Sequence, residues 1–410
     1  MTSSFAKQTI VLGLLSAIGP FAIDMYLPAL PAIGTSLHAD AAAVQRSLMA
    51  FFASLGACQL LYGPLSDMFG RKRPLYAGLG LFVLASIACG LASDIESLIA
   101  WRIVQGVGAC ATMVIPRAVV RDLYTGPEAA RLMSLLMLVF SVSPLLAPLA
   151  GSLAVAWASW RAVFWSVTVL GVLGLLLAAA GLDETRPETE RVNSSWSSAF
   201  SGYRTLLRQP RFLGLSFIGG FGMAGFFLYL ANSSFVLIEH YGLTPTVYSL
   251  FFSMNAFAFI GTAQLTGWLT SRYGLQAVIR VAAVGHAVAM LALGGLWITG
   301  VDSLTWLAAL LFVGYGFLGL VIPTTSVLAL DDHGEIAGTA AALMGTLQML
   351  TGAIAVSLLA AWVDGTARPM VMGIALSAAV TLALTWWTLG RTPAGAGEAS
   401  PAPVAGWSGH

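Results

Sequence analysis

The sequence predicts an all-α membrane protein with twelve transmembrane helices in two pseudo-symmetric six-helix bundles. Three observations predict it. The 410-residue chain is 58% hydrophobic and only 9% charged, which leaves too little polar surface for an ordinary soluble domain. Its apolar runs recur at the length of about 20 residues that a helix needs to cross a hydrocarbon core. One long interruption rich in charge, Ser and Pro divides the twelve runs into six and six. The organisation expected is a first bundle at 1–181, a linker at 182–210, a second bundle at 211–391 and a Gly/Ala/Pro-rich tail at 392–410 with too little apolar surface to fold.

The first span, 8–30, follows Lys7 and shows no small-residue cleavage pattern, so it reads as an uncleaved helix. It carries one acid, Asp24. Gly13, Ala17, Pro20, Asp24 and Pro28 fall near one face, a face of small residues suited to helix packing or a cavity wall, which keeps Asp24 from lipid. Spans two (44–65) and three (74–92) are joined by "GPLSDMFGRKRPL". Its glycines permit a tight turn and close helix approach, and Asp67 clusters there with Arg71, Lys72 and Arg73. Span four, 97–120, holds Arg102 about five residues from its start, where a charge costs ~2.5–3.5 kcal/mol on insertion scales unless it faces a cavity or a partner. Span five (131–154) contains Pro144 and Pro148, sources of helix irregularity, and span six is 160–181.

At a rise of about 1.5 Å per residue, Asp24 lies about 10 Å below Pro31 and Arg102 about 9 Å below Glu96. This predicts a shared level, with the guanidinium close to the carboxylate. Burial and a nearby arginine act on a carboxyl in opposite senses, so a conformational change that exchanges one for the other loads and releases a proton.

The second bundle repeats the pattern at 211–235, 246–270, 276–299, 303–328, 336–361 and 369–390. "GWLTSRYG" at 267–274 ends span eight as "GPLSDMFG" at 63–70 ends span two; both read G-x-L-x-x-x-x-G, the mark of an internal duplication. Aromatic residues and Met crowd spans seven and eight. Phe226, Tyr229, Asn232 and Asn255 there, with Tyr26 and Gln105 from the first bundle, are the candidate substrate contacts, since an apolar pocket with few polar groups suits a small amphipathic, drug-like molecule. Span seven has no acid before Glu239, which assigns proton coupling to the first bundle. His286, alone in span nine, reads as a packed histidine. The acids of "DDHGE", 331–335, precede span eleven and complement its dipole.

Basic residues set the topology. Lys7, Arg71 to Arg73, Arg117, Arg121, Arg131 and the linker arginines fall on one side and only Arg46, Arg161 and Arg368 on the other, which puts both termini in the cytoplasm. A net charge of +1 offers no basic face to a nucleic acid. Cys58, Cys89 and Cys110 lie in apolar runs without metal-ligand spacing, so neither a disulfide nor a metal is expected. H-E-x-x-H, G-x-S-x-G and paired intramembrane aspartates are absent, which argues against an enzyme. With no P-loop, ATP is not the direct energy source, and no cofactor is expected.

The loop after span two resembles the signature of the major facilitator superfamily, G-x-L-x-D-R-x-G-R-[RK], through Gly63, Leu65, Asp67, Gly70, Arg71 and Lys72, with Met at position 68 where the family usually has Arg. The resemblance implies that this loop gates the cytoplasmic side. Arg102, Gln105 and Gly106 resemble the superfamily's fourth-helix motif R-x-x-q-G, which is associated with proton coupling. "DMYLPALP" at 24–31 is similar to the first-helix signature of the twelve-span drug:proton antiporters, in their bicyclomycin-resistance (Bcr/CflA) branch; "VVRDLY", "SPLLAPLAG" and "WRAVFW" extend the likeness. Ala147-Pro148-Leu149-Ala150-Gly151-Ser152 departs from the antiporters' G-P-x-x-G-G. Together these imply a monomeric exporter in the bacterial cytoplasmic (inner) membrane, driving multidrug or small-molecule efflux by proton antiport and alternating access, with Asp24 and Arg102 as the coupling pair. Proton symport, or export of one natural metabolite, is the alternative.

Overall fold

The computed structural model describes residues 3–390 except 125, 192–195, 332, 334, 335, 361 and 363. The tail expected to be unfolded, 392–410, lies outside the described residues, as do Asp332 and Glu335 of the acidic turn. Among the described residues eleven helices are long and apolar enough to cross a membrane, and Ser141–Trp157 adds a shorter apolar stretch in the fifth position. The fold is all-helical.

The first span differs from its expected form. It is built from α1 (Ser3–Asp24), a 3-10 turn (Leu27–Ala29) and α2 (Leu30–Leu37), so it runs some seven residues past the end expected at 30. Pro28 and Pro31 are the second residues of the turn and of α2, where an N–H would have no partner within the helix; they restart the helix. It stops at His38, which takes a left-handed conformation (φ 49°), and Asp40 then caps α3 by accepting from the Ala43 N–H at 2.6 Å.

The first half continues with α3 (Ala41–Phe69), α4 (Lys72–Leu91), α5 (Ile95–Leu123), α6 (Gly126–Trp157) and α7 (Arg161–Gly181). The linker forms two short helices, α8 (Glu188–Arg191) and α9 (Trp196–Leu207). The second half is α10 (Pro210–Ser234) with a π-helical end (Phe235–His240), α11 (Pro245–Gln264), α12 (Thr266–Tyr273), α13 (Leu275–Ile298), α14 (Leu304–Asp331), α15 (Ala337–Ala360) and α16 (Arg368–Leu389). The duplicated motifs end their helices alike: α3 stops at Gly70 (φ 84°) and α12 at Gly274 (φ 78°), a conformation that costs a side-chain-bearing residue about 1–2 kcal/mol.

The first six spans pack on one another, as do the last six, and the halves meet where α3 lies on α15 and α6 on α11. Hydroxyls stitch these seams. Thr346 donates to the Gly56 carbonyl at 2.7 Å, while Ser249 and Ser253 of α11 donate to the carbonyls of Pro148 and Leu145 at 3.0 Å. Below, "linker side" denotes the membrane face that carries 182–210, and "far side" the opposite one. Near the far side, the Gln45 amide of α3 donates to the Asn232 side-chain oxygen of α10 at 2.9 Å. On the linker side, the Tyr203 hydroxyl of α9 reaches the Leu60 carbonyl at 3.0 Å.

Candidate functional site

Asp24 is the last residue of α1, at the break before the 3-10 turn. It is 6% exposed and accepts one hydrogen bond, from the Ser143 hydroxyl of α6 at 3.1 Å. The small-residue face foreseen in the sequence therefore meets α6. Gly151 makes that approach possible: a Cβ there would collide with the Met25 carbonyl. Of the six-residue stretch that departs from the antiporter pattern, the one retained glycine is thus the position where backbones touch.

Arg102 lies inside the first half, wholly buried. Its guanidinium carbon sits 4.3 Å from the ring centroids of both Tyr26 and Phe51, a double stack that a planar cation favours. Nη1 donates to Gln105 Oε1 at 2.6 Å, Gln105 Nε2 to Ser86 Oγ at 2.8 Å, and Ser86 to the Phe82 carbonyl at 2.6 Å. All three bonds run one way, from the cation outward. Tyr26 is fixed in turn by Ser47: the Ser47 hydrogen goes to the Val44 carbonyl at 2.6 Å, so the Tyr26 hydroxyl donates to Ser47 Oγ at 2.6 Å.

The expected pairing of Asp24 with Arg102 is not made in this conformation. No ion pair joins them among the described residues; the acid bonds to Ser143 and the base stacks on two rings. Tyr26, two residues beyond Asp24, takes the guanidinium on its ring face, while the carboxylate turns to Ser143 on α6.

The candidate substrate contacts separate into three groups. Tyr26 and Gln105 belong to the Arg102 cluster. Asn232 ties the halves through Gln45 and lines a far-side cavity of about 300 Å³ with Asp40 and Glu239. Phe226, Tyr229 and Asn255 form an aromatic cluster in the second half: Tyr229 stacks on Phe252 (5.8 Å, 9°) and contacts Tyr315 (5.4 Å), Phe226 meets Tyr315 edge-on, and the Asn255 amide donates to the Tyr229 hydroxyl at 3.0 Å. Among the described residues, Asn255 Oδ1 and the Tyr315 hydroxyl are buried there without a hydrogen-bond partner. Other aromatics of these spans lie elsewhere; Phe257 is 63% exposed on the outer surface, and Phe221 lines a groove on the outside of the second half. His286 is packed as expected, its Nδ1–H donating to the Gly314 carbonyl at 2.9 Å.

The loop of Gly63, Asp67, Gly70, Arg71 and Lys72 forms a charge cluster on the linker side. Arg71, 2% exposed, grips Asp122 at the end of α5 with Nε and Nη2 (2.7 and 3.0 Å) and Asp67 with Nη1 (2.7 Å). Glu184 receives the backbone N–H groups of Arg71 (2.8 Å) and Lys72 (3.2 Å) at the start of α4. Burial pushes the Glu184 carboxyl up, but the N–H groups of Arg71, Arg186 and Lys72 and the Arg191 guanidinium outweigh it and hold it below the ordinary glutamate range. Arg186 Nε donates to the Asp67 carbonyl at 3.0 Å, and its Nη1 stands 3.6 Å from the Asp67 carboxylate. The linker thus brings an arginine to Asp67 where Met68 supplies none. Asp122, Glu184 and Arg186 were not foreseen as site residues; the signal available was their place in "VVRDLY" and "LDETR". Among the described residues, the ion pairs of Arg71 with Asp67 and Asp122 lie within the first half, and that of Arg186 joins the linker to it.

The sequence profile of the Major Facilitator Superfamily matches residues 12–356. The chain belongs to this superfamily. It is 37% identical over 363 residues to the "Uncharacterized MFS-type transporter YdgK" of Bacillus subtilis (strain 168), covering 88% of this chain and 90% of that one. It is 30% identical over 372 residues to a "Bicyclomycin resistance protein homolog" of Haemophilus influenzae, with the same coverage of 88% and 90%. Among solved structures it resembles the D-xylose-proton symporter (TM-score 0.74, 16% identity, covering 94% of this chain and 98% of that one), a likeness of fold. Membership bears out the expectation of a multi-pass transporter and not an enzyme.

Proposed function

We propose that this protein exports a small amphipathic molecule in exchange for protons, by alternating access between its two halves, in the bacterial cytoplasmic membrane with both termini and the linker inside. The observation that carries the reading is Asp24: a carboxyl set at a helix break, shielded from lipid by α6 and held by a single hydroxyl donor. Such a group changes its proton occupancy when the halves rock and its surroundings change. Arg102 acts through Tyr26, which sits two residues beyond Asp24 at the entry to the 3-10 turn. The aromatic cluster around Tyr229, with the partnerless oxygens of Asn255 and Tyr315, supplies apolar faces and polar handles for a drug-like ligand. The relative named for bicyclomycin resistance supports drug export, and the basic linker side supports the orientation.

The test is purified protein in proteoliposomes under an imposed pH gradient, with wild type and Asp24→Asn side by side against a panel of drugs. Wild type moves at least one compound in proportion to the gradient, and Asp24→Asn binds it but loses gradient-driven movement. Flux that ignores the gradient, or that survives in Asp24→Asn, overturns the reading.

A further inference from the structure

A large cavity lies away from the seam between the halves. It is a groove of about 1040 Å³ on the outer surface of the second half, between α10, α15 and α16. Its walls are apolar and bare: Ile354 is 57% exposed, Leu358 69% and Leu376 67%. From Arg368 at the far-side rim it descends along α16 to Val380, about 18 Å at the helical rise, close to the ~15 Å of one leaflet of a bilayer core.

The rim is polar and carries both signs of charge. The Arg368 guanidinium is exposed and makes no salt bridge among the described residues. Asp364 accepts the Thr366 N–H (2.9 Å) and hydroxyl (2.6 Å) on Oδ1 alone, and Oδ2 receives no hydrogen bond among the described residues. Trp362, 75% exposed, stands beside them, as an aromatic does at a headgroup level. Two exposed groups of opposite charge, close enough for Arg368 to act on the Asp364 carboxylate, stand above a leaflet-deep apolar channel and form a complement to a zwitterionic lipid.

We propose that this groove is a binding site for one phosphatidylethanolamine molecule of the far-side leaflet, with an acyl chain between α15 and α16, the phosphate on Arg368 and the ammonium on Asp364. The phosphate accepts from a planar donor fork, and the primary ammonium donates to the free carboxylate oxygen. A phosphatidylglycerol headgroup has the phosphate without the ammonium and satisfies only half of the rim.

Native mass spectrometry of the full-length protein in detergent, titrated with dioleoyl-phosphatidylethanolamine or dioleoyl-phosphatidylglycerol, tests this. Wild type should retain one phosphatidylethanolamine in preference to phosphatidylglycerol. Arg368→Gln should weaken phosphatidylethanolamine about tenfold, the scale of one lost charge-assisted hydrogen bond. Asp364→Asn keeps an oxygen for Thr366, so the turn survives; it should erase the preference between the two lipids. Ile354→Trp fills the exposed channel without touching the interior and should weaken both. Equal retention of the two lipids by wild type, or unchanged phosphatidylethanolamine binding in either Arg368→Gln or Ile354→Trp, overturns the proposal.

Discussion

At Arg102 the chain stabilises a buried cation with ring faces and one amide oxygen instead of a carboxylate. Shape therefore matters there as much as charge. Arg102→Lys keeps the charge but loses the flat stack on Tyr26 and Phe51 and the short bond to Gln105; it should cost about 2 kcal/mol, the value of a desolvated cation–π contact, read as a lower thermal unfolding midpoint in detergent together with slower transport. Gly151→Ala sets a methyl against the Met25 carbonyl beside Asp24. Because backbone must yield, the expected loss is about 1–3 kcal/mol, measured the same way. The sequence carried enough to single out both Asp24 and Arg102, since a charge inside an apolar run stands out on sight. It could not say that they miss each other, because the rise per residue fixes depth along a helix but not the partner a side chain turns to, and Asp24 turns to Ser143 while Arg102 turns to Tyr26 and Phe51.

Among elements, the linker contributes more than its composition suggested. Charge, Ser and Pro read as a spacer, yet Glu184 docks on the first turn of α4 and Arg186 on Asp67. Such docking was invisible because nothing in the sequence pairs a residue at 184 with one at 71. The depressed Glu184 carboxyl fixes the sign of its pH dependence: its contribution is present at and above the ordinary glutamate pKa of about 4.3 and is lost as the pH falls through its lower folded value. Limited trypsin cleavage at Arg191, the linker arginine that is not followed by proline, should therefore be faster in Glu184→Gln than in wild type at neutral pH. Gly70→Ala should act likewise, since it pays for a left-handed backbone and pushes a methyl into the Glu184 carboxylate; cleavage at the wild-type rate in both variants would count against the docking role.

For the whole molecule, the all-helical membrane fold and most of its spans were legible because hydrocarbon thickness and helix geometry leave few alternatives. How the halves close was not legible, since it rests on single contacts between residues far apart in sequence. Gln45 and Asn232 are one such contact, at the far side. Asn232→Leu strands a buried amide donor at a cost of about 1–3 kcal/mol and should shift the population toward a parted far side. In a background with Cys58, Cys89 and Cys110 replaced, a cysteine placed at Ala42 in the adjoining cavity should then react faster with an impermeant thiol reagent; an unchanged rate would remove Gln45–Asn232 as a lock. The seam between α6 and α11 behaves differently. The Ser249 hydroxyl lies 3.0 Å from the Pro148 carbonyl across the divide and 2.9 Å from the Pro245 carbonyl of its own helix, so it always has somewhere to fall back. When the halves swing apart, that hydrogen simply turns home, so this hydroxyl is not marooned in oil and its bond adds little to the energetic cost of each cycle.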